Sequence, residues 1–135
     1  MASGATADHC DGGWVIVFDE PLVTQLLVDY RFSMRLEGGG LIVVEEPFQL
    51  TTPDGMALVP PGEAVFEVGV ALPLFNQRVE AIRAHDNGRL RVGFESGWTI
   101  DVPVNVGYEN WQVIAPDGEE WVGLPGGAVA HLPPA

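Results

Sequence analysis

Phe48-Gln49-Leu50-Thr51-Thr52-Pro53-Asp54-Gly55 and Trp111-Gln112-Val113-Ile114-Ala115-Pro116-Asp117-Gly118 are two versions of one phrase. Each runs aromatic, glutamine, aliphatic, then two residues before Pro-Asp-Gly. Pro presets φ and Gly supplies a positive φ, so each phrase reads as a strand entering a tight turn. Each then gives a short apolar run that closes on Pro and Gly, at Leu58-Val59-Pro60-Pro61-Gly62 and at Val122-Gly123-Leu124-Pro125-Gly126-Gly127.

Upstream, the match continues. Phe32, Met34 and Leu36 alternate with Ser33, Arg35 and Glu37, and Leu90, Val92 and Phe94 alternate with Arg91, Gly93 and Glu95. Alternation at period two is the mark of a half-buried strand. A glycine turn follows each run (Gly38-Gly39-Gly40; Ser96-Gly97), and then a second strand-like run (41–46; 98–102), which makes two hairpins. The chain therefore reads as two repeats, about 23–62 and 79–127, with extra residues at 104–110 in the second.

An antiparallel meander with one apolar face cannot bury that face alone, whereas two can cover each other. The fold expected is all-β or β-dominated, with α+β as the alternative: two repeated meanders packed as a small sandwich or open barrel. At most one short helix is expected, in the linker at 63–76, where Pro73 would end it. Residues 1–12 read as a flexible leader, 13–135 as a single domain, and the tail after Gly127 as frayed.

The formal net charge is −13, from 19 acidic residues against six basic ones, all arginine. No Lys or Arg follows Arg91. Such a field repels phosphate backbones and anionic membranes, so neither a nucleic acid nor a membrane is an expected partner. It would steer toward a basic protein, or serve solubility alone. No apolar run approaches the length that spans a bilayer, and no basic-then-apolar stretch opens the chain. The lone Cys10 cannot form an internal disulfide, which favours a reducing, cytoplasmic setting.

Motifs for chemistry are sparse. Asp8-His9-Cys10-Asp11 sets four ligand types side by side, but adjacent residues cannot all wrap one ion, so no metal is expected. His9, His85 and His131 lie apart in sequence, and His85 precedes the turn Asp86-Asn87-Gly88. The carboxylate pairs Asp19-Glu20, Glu45-Glu46 and Glu119-Glu120 would point to opposite faces of a strand and read as solvated edges. No catalytic residue and no cofactor is predicted.

The individual feature is Tyr108-Glu109-Asn110-Trp111, where the second repeat departs from the first. Trp98, Trp111 and Trp121 all fall in that repeat. They either fill the core or form an aromatic and acidic surface for a partner, since Trp and Tyr favour interfaces. On the second alternative the binding residues are Tyr108, Glu109, Trp111, Glu119, Glu120 and Trp121.

Tyr108-Glu109-Asn110-Trp111, Pro116-Asp117-Gly118 and Leu124-Pro125-Gly126-Gly127 resemble a small actinobacterial family of unknown function. That family shows a Y-E-x-W segment, a Gly turn and a P-G-G close. The strand pair Gly88-Arg89-Leu90-Arg91-Val92-Gly93-Phe94 with Gly97 also looks like its own. The resemblance covers about 79–127 and implies no activity.

The function expected is a non-enzymatic protein-binding domain, in the form of an immunity-type inhibitor whose acidic face docks on a basic toxin or nuclease. One alternative is a structural or regulatory homo-oligomer, such as a homodimer, that uses a Trp-rich face. A second is an enzyme without a recognisable motif.

Overall fold

The computed structural model describes residues 4–61, 68–104, 107 and 109–134. Its strands are β1 (Ala5–Cys10), β2 (Gly13–Phe18), β3 (Val23–Val28), β4 (Phe32–Leu36), β5 (Leu41–Val44), β6 (Phe48–Thr52) and β7 (Gly55–Val59). After a 3₁₀ turn, η1 (Gly69–Leu74), come β8 (Val79–His85), β9 (Leu90–Phe94), β10 (Thr99–Val102), β11 (Trp111–Ile114), β12 (Glu120–Leu124) and β13 (Ala128–Leu132). The fold is β-dominated, as the alternation predicts. Among the described residues, no helix is long and apolar enough to cross a membrane.

The strands form two antiparallel sheets. One has the order β1-β2-β8-β9-β10-β6-β7, the other β13-β12-β11-β5-β4-β3. Their inner faces share a single apolar core that includes Phe32, Met34, Ile42, Phe48, Ile82, Trp111 and Trp121. Phe32 and Phe48 meet across it with ring centroids 5.3 Å apart. Complete burial of side chains this large contributes about 1.5–3 kcal/mol each.

The repeats do not take one sheet each. β3-β4-β5 open the first repeat in the six-stranded sheet, yet its β6–β7 hairpin pairs with β10 of the other sheet. The second repeat does the converse: β8-β9-β10 lie in the seven-stranded sheet, and β11 pairs with β5. Each repeat lends its last hairpin to the other's sheet. The details correspond: β3–β4 shifts register between Val23 and Gln25, and β8–β9 between Val79 and Ala81. Gly39 and Gly97 close the equivalent turns with φ of 101° and 92°.

Two other expectations are corrected. Within the supposed leader, residues 5–10 form β1, paired along its length with β2 through a turn at Asp11 and Gly12. The supposed frayed tail forms β13, paired with β12 from Glu120↔Leu132 to Leu124↔Ala128. Both additions give backbone donors and acceptors partners that an edge would leave bare. In the linker, the described residues form one short helical element, η1, as expected, but with Pro73 inside it rather than at its end; residues 63–67 of the linker lie outside the described residues.

Candidate functional site

The tryptophans singled out for an aromatic and acidic surface lie in the core instead. Trp111 and Trp121 are fully buried. The reason is the two-sheet core: β11 and β12 lie inside their sheet, so their inward side chains face the other layer. The Trp111 indole N–H donates to the Gly88 carbonyl at 2.8 Å, which ties the two sheets together. Glu109 is exposed, while Glu119 and Glu120 are half-buried. Tyr108 lies outside the described residues. The solvated-edge reading also fails at Glu46, which is buried.

Asn110 is the residue that sequence reasoning passed over. It is buried; its N–H donates to the Gly123 carbonyl at 3.2 Å, and its carbonyl accepts from the Glu45 N–H at 2.9 Å. Its side-chain amide donates to the Pro103 carbonyl. Glycine at 123 permits this junction, because a β-carbon there would overlap the Trp111 indole and the Asn110 side chain. The pairing Trp111↔Gly123 could have been read by counting back from the Asp117-Gly118 turn.

Two histidines of unassigned role flank one aromatic. Trp14 lies 5.0 Å from the His9 ring and 4.5 Å from the His131 ring, centroid to centroid. His9 Nε2 is 2.8 Å from Asp86, and His131 Nε2 is 2.7 Å from Glu119. The contacts clip β1 and β13, one terminal strand of each sheet, against Trp14. Among the described residues no group of three or more His, Cys, Asp or Glu is placed to hold a metal ion.

The site itself emerges when the repeats are superposed strand by strand. Leu50↔Ala57 in β6–β7 corresponds to Val113↔Trp121 in β11–β12, because the second turn is one residue longer. In the second repeat the Trp121 indole fills the place, stacked on His131 at 5.2 Å and edge-on to Trp14 at 5.9 Å. In the first repeat the place is held by Ala57, and an open groove of about 360 Å³ lies beside it. Leu50, Thr52, Asp54, Met56, Val70 and Trp98 are among the residues that line it. In its lining, Met56 is 65% exposed and Val70 45%, and Leu72 and Phe75, which follow Val70 in the chain, are 56% and 54% exposed. Among the described residues, Asp54 is the one ionisable side chain in the lining. The groove offers burial to an apolar group, with the Asp54 carboxylate at its edge.

Against known proteins, a family model described as a family of unknown function (DUF6188) matches residues 14–133. The chain belongs to that family. No curated protein and no solved structure matches it.

Proposed function

We propose that this DUF6188 chain is a non-catalytic protein-binding domain, and that the groove beside Ala57 is where a partner anchors. One observation carries the reading: the first repeat leaves open the position that the second fills with Trp121. A partner presenting a large apolar or aromatic side chain would complete it. Interfaces draw most of their energy from a few such anchors in well-packed pockets. Exposed apolar side chains in one neighbourhood are also the usual mark of a surface that something covers.

Charge supplies the second half. A net charge of −13 raises the encounter rate with a basic partner, and Asp54 places a carboxylate at the groove. An immunity-type inhibitor of a basic toxin or nuclease is the form of this reading that charge favours. The acidic-aromatic surface first expected for it is replaced by the groove. Self-association is the second reading, favoured by the exposed Leu72 and Phe75, which a second copy could cover.

The test is affinity capture from native extract with the wild type and with Ala57→Trp, each washed at low and high salt. A basic protein held by the wild type, shed at high salt and not captured by Ala57→Trp supports the reading. Equal capture by both proteins overturns it. Recovery of the chain alone, with a dimeric mass by light scattering that Phe75→Asp abolishes, moves the assignment to self-association.

A further inference from the structure

The six arginines of this acidic chain are not dispersed. Arg83 in β8 and Arg91 in β9 are direct cross-strand partners, so both side chains leave the same face of the seven-stranded sheet. Like charges in that relation destabilise a sheet. The cross-strand partner of Arg83 on β2 is Val15, with Asp8 one strand further along the same row, and Ala81 and His85 stand two residues along its own strand. Among the described residues neither Arg83 nor Arg89 makes an ion pair, and Arg91 has only Asp101, at 3.8 Å. A groove of about 270 Å³ opens on this face, lined by His85, Asn87, Arg89, Arg91 and Asp101.

We infer that this face, built on Arg83, Arg89 and Arg91 with His85 and Asn87, binds a multivalent oxyanion. The ligand class is a small molecule that carries two or more phosphoryl or carboxyl groups. Guanidinium forks match both groups with paired N–H donors, and His85 and Asn87 add hydrogen-bonding capacity. Two guanidinium groups, those of Arg89 and Arg91, line the groove against the one carboxylate of Asp101, which pairs with Arg91 at 3.8 Å, and Arg83 stands opposite Arg91 on the same face. The net charge of the whole molecule does not cancel this. Exposed charges farther away than about 8 Å are screened at physiological ionic strength, whereas the three arginines would touch the ligand.

The inference rests on cross-strand geometry and charge, independently of the Ala57 groove. Its test is calorimetric titration of the full chain with pyrophosphate and, separately, with citrate. Saturable one-site binding of pyrophosphate identifies a phosphoryl ligand, and of citrate a carboxyl ligand. Either affinity should fall by roughly tenfold or more in both Arg83→Gln and Arg91→Gln. Removing one of the opposed charges should also raise the Tm of the free protein, by roughly 1–4 °C. Absence of saturable binding by both anions, or wild-type affinity in both variants, overturns the site. So does a Tm that falls in both variants, since the pair would then be held by packing.

Discussion

Leu22 and Arg78 occupy the same place in the two repeats, one residue before Val23 and Val79, and they pair with each other across an antiparallel bridge. The Leu22 carbonyl accepts from the Glu37 N–H, and the Arg78 carbonyl accepts from the Glu95 N–H, both at 2.9 Å. A residue can face its own counterpart in this way only on a twofold axis. The repeats are therefore related by an internal pseudo-twofold that passes between these residues.

Because each repeat completes the other's sheet, neither half has a finished core. Fragments 4–61 and 68–134, made separately, are expected to lack cooperative thermal unfolding. Mixed, they should recover β-sheet circular dichroism and a single transition. A cooperative transition in either fragment alone would contradict the exchange of hairpins.

Gly123→Ala tests the junction under Trp111. The added methyl overlaps a buried indole held by its bond to Gly88. The expected loss is about 1–3 kcal/mol, the range of overpacked cores, read from the urea midpoint at constant m-value.

Trp111→Phe keeps an aromatic ring but removes the only N–H that reaches from that side chain to the Gly88 carbonyl. A buried carbonyl without its donor and a smaller ring together should cost about 2–4 kcal/mol. Urea denaturation would measure it.

Salt should stabilise this protein. Folding concentrates a net charge of −13, and that self-repulsion is screened as the Debye length falls from about 30 Å at 0.01 M to about 8 Å at 0.15 M. Tm should rise across that interval, by differential scanning calorimetry; a flat or falling Tm would show that the acids are already locally compensated.

The turns explain how much the sequence discloses. Pro-Asp-Gly and the glycine pairs fix hairpins through local backbone chemistry, so strand content and the duplication are legible without coordinates. Which sheet receives a hairpin is not, because β6 alternates in the same way whether it joins β5 or β10. β1 was hidden for another reason: Ala5-Thr6-Ala7 carries no bulky apolar side chain, and its strand comes from pairing with Val17 and its neighbours on β2. The Trp residues were ambiguous because bulk suits core and interface alike, and only Gly123, opposite Trp111, signals the core. The groove beside Ala57 needed both repeats in three dimensions to be seen.

The exchange of hairpins also sets a schedule for synthesis. β5 meets β11 only after residue 114 has been made, so for most of translation the first repeat has no complete sheet to join. At about 5–20 residues per second, that leaves several seconds in which the edges of β5 and β6 that β11 and β10 will cover lack their partners. The nascent chain is then at its most adhesive. Its acidic composition, with no lysine and few arginines, gives those early strands mutual repulsion as their guard against one another.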